Sequence, residues 1–172
     1  FECVDKLSIP EENTEFSGDI LPSDGAEVYL RTDLALAPIR AYIWKNIEGA
    51  KENEFGKVII AREFASGKEM TVSPGETLVV DFGQNCAGVP SFVFKAAEGT
   101  VLTCLPAELL NDGNGAKIRG MDGPEGSCHR ENLRIPHTGI RLDYTFAAGD
   151  NYVTYYPHCT FFGYRYVSIT AT

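Results

Sequence analysis

Three groupings in this sequence are of residue types that do chemistry, and each can be tested by spacing. Asp112-Gly113-Asn114-Gly115, followed by Asp122, resembles the opening of a loop that offers oxygen ligands to calcium. It lacks the third acidic position, the Gly at the sixth place and the closing Glu of an EF-hand. The same residues also suit a tight turn in which Gly and Asn relieve positive φ. Calcium held by Asp112, Asn114 and Asp122 is thus the one cofactor left open; none is otherwise expected. His129, His137 and His158 lie far apart with no partner at helical spacing, which is not how zinc is held. Ser127-Cys128-His129 puts a thiol beside an imidazole in sequence only, which does not orient a nucleophile. The chain has no G-x-S-x-G elbow, no Walker loop and no G-x-G-x-x-G after a strand. Asp81, Glu108, Asp112, Asp122, Glu125 and Glu131 are the type that hydrolyses glycosides in pairs, where separation decides the route. With 24 acidic residues present, several in loops are expected by chance. The expectation is a chain without a complete catalytic site of its own.

The elements that must position these residues are short and β-rich. From Glu27 onward, strands are expected near 27–32, 39–45, 57–64, 76–82, 89–95, 100–105, 141–146, 152–157 and 164–170. Ile39, Ala41 and Ile43 alternate onto one face, as do Val167, Ile169 and the stem of Arg165. Ser66-Gly67, Ser73-Pro74-Gly75, Glu98-Gly99 and Gly149-Asp150-Asn151 supply turns between the runs. Brief helices are expected at Glu48–Asn53 and Ala107–Asn111. Many short strands with regular turns imply an all-β fold, an antiparallel, jelly-roll-like β-sandwich, rather than βαβ units. One long Gly- and Asp-rich loop, 111–139, interrupts the strands, and loops of that length are usually functional or ordered excursions. Residues 1–26 read as an extended, acidic lead-in that packs on the body, anchored by Phe16 and Ile20-Leu21, with the sandwich domain over 27–172.

Composition narrows the partners. The chain has 172 residues, 44% hydrophobic and 23% charged, which suits one globular domain. Its net charge of -9, from 15 basic against 24 acidic residues and with no Lys or Arg run, argues against nucleic acid and anionic membranes. No apolar stretch approaches the ~18–20 residues that cross a bilayer. The start, Phe1-Glu2-Cys3, has neither Met nor a charged-then-apolar leader and reads as a processed or excised piece. Cys3, Cys86, Cys104, Cys128 and Cys159 form no C-x-x-C pair, and an odd number cannot all pair within one chain. Buried or half-buried thiols are the expectation, with one disulfide open if the protein is exported.

Three ordered segments carry more. They are Val79-Val80-Asp81-Phe82-Gly83-Gln84-Asn85-Cys86-Ala87-Gly88, then Ala107-Glu108-Leu109-Leu110-Asn111-Asp112-Gly113-Asn114, then Pro157-His158-Cys159-Thr160-Phe161-Phe162-Gly163-Tyr164-Arg165-Tyr166-Val167. In order and spacing they resemble the concanavalin-like β-sandwich module that stands ahead of the catalytic barrel in bacterial α-L-rhamnosidases, with its D-F-G-Q-N-x-A-G, A-E-x-L and G-F-R-Y-V signatures. Gly99-Thr100, Asn132-Leu133-Arg134 and Tyr144-Thr145-Phe146 match as well. The resemblance covers about residues 70–170, with a weaker echo from 27. Pro90, Cys86, Cys159 and Tyr164 depart from the usual pattern.

The resemblance implies a non-catalytic accessory domain. Its parent would be an extracytoplasmic, inverting glycoside hydrolase that removes terminal α-L-rhamnose with two carboxylates in an (α/α) barrel. It also implies two partners, that barrel and a rhamnose-containing glycan. A second reading is a carbohydrate-binding module for rhamnose or related sugars, assisted by calcium through the 111–126 loop. In either case Asp81, Gln84, Asn85, Glu108, Arg134, Tyr164 and Arg165 are the candidate carbohydrate-binding or interdomain residues. On physical grounds Asp81, Gln84 and Asn85 either hold the turn or line a surface. Arg165 calls for a carboxylate, Glu108 or Asp81. The aromatics of the third segment, and Trp44, serve as core or as a sugar-stacking platform.

Overall fold

The computed structural model describes residues 29–65, 67–112, 122–131, 133, 140–149 and 151–172. The chain divides into two units, Phe1–Ala35 and Leu36–Thr172. Most of the first, including the lead-in expected over 1–26, lies outside the described residues. Its described part forms a 3₁₀ turn, Thr32–Leu34, closed by a bond from the Leu34 N–H to the Arg31 carbonyl. Of the strand expected over 27–32, residues 29–31 are irregular and Thr32 enters that turn, because the backbone bonds are local and find no ladder.

Among its described residues the second unit has ten strands: β1 Arg40–Glu48, β2 Lys57–Phe64, β3 Thr77–Gly88, β4 Phe92–Phe94, β5 Val101–Ala107, β6 Leu109–Leu110, β7 Cys128–His129, β8 Leu142–Thr145, β9 Val153–Tyr155 and β10 Phe162–Ala171. Six form one sheet in the order β2-β1-β3-β10-β5-β8, and β4-β9 and β6-β7 form two small ribbons. Every ladder between them is antiparallel.

Within the central strands Ala41–Ile43 and Leu78–Val80 are apolar without a break because both their faces are covered. On one face Leu78 and Val80 of β3 join Ala41, Ile43, Leu102, Val167, Ile169 and Phe146, and the β4-β9 ribbon lays Phe92, Phe94, Val153 and Tyr155 over them. On the other, Val79 meets Tyr42, Val58, Ala107 and Tyr166, with Leu110 and Cys128 of the β6-β7 ribbon packed against them. The result is an antiparallel β-sandwich whose first layer is much wider than its second. Pro106 fits inside β5 because β8 pairs only Val101–Cys104, so at Pro106 the side away from β10 has no ladder from β8 to interrupt.

Three local expectations change. Ala107–Asn111 is not helical: Ala107 ends β5, and Leu109 and Leu110 pair with His129 and Cys128. Glu48–Asn53 is the end of β1 and a turn bridged between Lys51 and Glu54. Both runs are too short to close a stable helix against available ladder partners. The shared face of Ile39, Ala41 and Ile43 holds for the last two only; Ile39 precedes the strand and is 64% exposed.

Candidate functional site

The first and third sequence segments form adjacent strands, β3 and β10, and the second ends β5 beyond them. Between Asp81↔Tyr166 and Cys86↔Tyr164 the register slips, giving β3 extra residues against β10. This bulge turns Arg165 away from the face shared by Tyr164 and Val167 and onto that of Asp81, opposite to the face that strict alternation with Val167 and Ile169 predicts.

There the guanidinium grips Asp81 with two bonds, Nε to Oδ1 at 2.9 Å and Nη2 to Oδ2 at 3.0 Å. Its carbon sits 5.0 Å from the centre of the Tyr166 ring. Gly83, with φ +85°, turns its N–H back onto Asp81 Oδ1 at 2.7 Å. That conformation suits Gly, and an added Cβ would stand 3.1 Å from Ile39 Cδ1. Burial disfavours the charged form of Asp81, but the bonds from Arg165 and the Gly83 N–H outweigh it and hold the carboxyl below its usual range. Alongside, Arg40 stacks over Tyr42 at 4.8 Å and bonds Glu63. The Tyr42 hydroxyl donates to the Gly126 carbonyl at 2.5 Å, tying the sheet to the loop.

Next to the grip, Asn85 Nδ2 donates to Glu108 Oε1 at 3.2 Å, joining β3 to the end of β5. The same oxygen lies 3.1 Å from where a Cβ on Gly163 would stand. Gln84 is exposed beside this pair. Tyr164 is only 5% exposed and sets its ring edge-on to Phe82 at 5.5 Å; burial pushes its hydroxyl up to about 12. Phe162 and Tyr166 also pack inward and Phe161 is exposed, while Trp44 packs beside Tyr42 and Val58. Arg134 lies outside the described residues.

A second polar cluster closes the long loop. Asn111, buried, donates through Nδ2 to Asp122 Oδ1 and Ser127 Oγ, both at 2.9 Å. Asp122 Oδ2 accepts from the backbone N–H groups of Arg130 at 2.7 Å and Glu131 at 2.9 Å. His129 Nδ1 lies 3.2 Å from both Asn111 Oδ1 and Asp122 Oδ1, two acceptors that require the hydrogen on that nitrogen. Against the cost of burial, these donors hold Asp122 below the usual carboxylate range. Of the three metal candidates, Asp122 is therefore engaged on both oxygens, Asp112 is exposed, and Asn114 lies outside the described residues. Among the described residues no three His, Cys, Asp or Glu converge as metal ligands. Cys128 projects to the opposite face of its strand from His129, and burial pushes its thiol up to about 12, which makes it a poor nucleophile.

Spacing pointed to Asp81, Asn85, Glu108 and Arg165 and missed Arg40, Tyr42, Asn111 and Ser127. The first group sits inside recognisable segments, as does Asn111, but the roles of the second group are identified only by what the fold places opposite each residue.

The model of the bacterial alpha-L-rhamnosidase concanavalin-like domain matches residues 70–172. An alpha-L-rhamnosidase of Alteromonas sp. (strain LOR) is 33% identical over 95 residues, which are 55% of this chain and 9% of the relative. One of Streptomyces avermitilis is 32% identical over 115 residues, 67% of this chain and 10% of the relative. The solved rhamnosidase from Klebsiella oxytoca with rhamnose bound aligns with a TM-score of 0.41 and 13% identity, over 78% of this chain and 24% of that one. The matched part of the chain thus spans about a tenth of the length of these two curated relatives.

Proposed function

Since the chain belongs to the bacterial alpha-L-rhamnosidase concanavalin-like domain family, we propose that it is a non-catalytic accessory β-sandwich of a larger glycoside hydrolase acting on terminal α-L-rhamnose. The catalytic barrel would lie elsewhere in that polypeptide. One observation carries this reading: Asp81 and Glu108, the carboxylates of the signature segments that lie on and beside strands, are spent on joining strands. Asp81 is held by Arg165 and the Gly83 N–H, and Glu108 accepts from Asn85. A general acid or nucleophile needs a carboxyl that faces substrate with a matched pKa, and Asp81 is held low and turned inward. The same reading puts the protein outside the cytoplasm, where glycans are met.

The test is release of nitrophenol from 4-nitrophenyl α-L-rhamnoside. The purified 172-residue chain is expected to release none, and the full-length protein to turn over. Asp81→Asn and Glu108→Gln in full-length protein are expected to lower thermal stability while keeping kcat within about threefold. Turnover by the chain alone, abolished by either substitution, would overturn the proposal. Titration calorimetry with millimolar L-rhamnose, with and without calcium, separates it from a sugar-binding module, for which heat of binding is required, and calcium-dependent heat only if the loop assists.

A further inference from the structure

The two layers do not close on each other along the β4-β9 ribbon. Between them lies a space of about 650 Å³, lined from the wide sheet by Leu78, Val80, Leu102 and Ile169 and from the ribbon by Phe92 and Phe94. Folded interiors pack to crystal density and leave few voids larger than a water molecule, so a space of this size is not a packing defect. The four sheet residues are only 3–7% exposed. The space is therefore overhung, and it admits a compact molecule rather than a strand or a second copy laid flat against the sheet. Its volume falls within the ~300–1,000 Å³ of sites that take small molecules. Phe92 and Phe94 lie stacked, 5.2 Å apart and 17° from parallel. Met70, unbranched and adaptable, also lines the space. An apolar space of this kind stays dry and takes apolar guests.

The rim is charged. Lys68, Glu69, Lys95 and Tyr152 are exposed and line the same space. Lys95 Nζ stands 5.2 Å from the centre of the Tyr152 ring, and the Tyr152 hydroxyl donates to Glu69 Oε1 at 3.1 Å. The rim thus holds two ammonium groups against one carboxylate, which already accepts a bond, on a chain whose net charge is -9. We propose that the space between the layers binds a small apolar molecule with one acidic group. Its hydrocarbon or aromatic body would lie against Phe92, Phe94 and Met70, and its carboxylate at Lys68 and Lys95. The apolar lining selects the body and charge complementarity the head. The inference goes beyond the accessory role and does not depend on it.

The probes are decanoate, its neutral counterpart decanol, and the fluorescent aromatic acid anilinonaphthalene sulfonate. The sulfonate is expected to light up on the full-length protein and on the 172-residue chain alike, saturating at one equivalent. Decanoate is expected to displace it at lower concentration than decanol. Lys68→Ala and Lys95→Ala should each weaken decanoate about threefold, as loss of one exposed charge does, and leave decanol unchanged. Ala96 lines the space, and Ala96→Phe, which fills part of it, should block all three probes while far-UV circular dichroism stays the same. The proposal is overturned if decanoate and decanol compete equally, if the lysine variants leave decanoate unchanged, or if binding never saturates. It is also overturned if the chain binds and the full-length protein does not, which would make the parent polypeptide the occupant. Both lysines are exposed, so their variants decide the case even where Ala96→Phe fails to fold. Turnover of rhamnoside by the isolated chain would instead sink the functional reading, so the two failures are distinguishable.

Discussion

Asp81 and Arg165 are unequal partners, and the inequality is measurable. The Asp81 side chain is 11% exposed and that of Arg165 36%. Without Asp81 the guanidinium can turn to water, whereas without Arg165 the carboxylate stays desolvated. Arg165→Met is therefore expected to cost more than Asp81→Asn in urea unfolding. Their double-mutant cycle should give a favourable coupling, between those of exposed and of buried pairs. The acid response follows from the same pair. Asp81 and Asp122 both have carboxyls held below the ordinary value. Their stabilising effect is thus complete above the unfolded pKa near 4 and is lost as pH falls through the lower folded values. Melting temperatures between pH 5 and 2 should fall more steeply for the wild type than for Asp81→Asn or Asp122→Asn. Parallel slopes would refute the assignment.

At the scale of elements, the hairpin of β1 and β2 separates backbone strain from collision. Gly49 has φ +69° with open space where a Cβ would go, so Gly49→Ala should cost about 1–2 kcal/mol from the left-handed backbone alone. Gly56 has φ +78° and a Cβ there would fall 2.2 Å from the Glu48 carbonyl oxygen and 2.8 Å from the Ala50 nitrogen. Gly56→Ala must open the turn and is expected to destabilise by clearly more than Gly49→Ala in the same unfolding assay. Strand positions were mostly legible in the sequence, since β1, β2, β3, β4, β5, β8, β9 and β10 overlap the expected runs. β6 and β7 were not, because two residues carry no period; they exist only where Leu109 and Leu110 meet His129 and Cys128 across the loop.

For the whole molecule, the sandwich sorts the cysteines by depth. Cys104 is buried and its thiol is pushed up to about 12, as is that of Cys128. Cys86 is half-buried and Cys159 exposed, and all four are free thiols. Cys159 is the departure from an expectation of buried or half-buried thiols. In native protein iodoacetamide should modify Cys159 first and Cys86 more slowly, leaving Cys104 and Cys128 unmodified until unfolding; peptide mapping over time checks the order. Rapid loss of Cys104 would mean that the two layers do not stay closed over it. The larger core can be weighed in the same way: Phe146 is 1% exposed, and Phe146→Ala is expected to cost about 3–5 kcal/mol by the transition midpoint in urea.

The all-β character and the three signature segments were readable from sequence because side-chain alternation and turn residues act over a few positions. Which carboxylate Arg165 takes was open between Glu108 and Asp81. A bulge of β3 against β10 decided it, by carrying the guanidinium to the opposite face of the sheet. In sequence the loop opening at Asp112 reads first as a tight turn, with an oxygen-ligand site that would include Asp122 as the alternative. Its described part became a closed polar cluster only because the fold brings Asn111, Ser127 and His129 to the same carboxylate and its neighbours. Local patterns set what each segment can be; pairing across long loops, where one residue of register changes the face, set what each side chain touches.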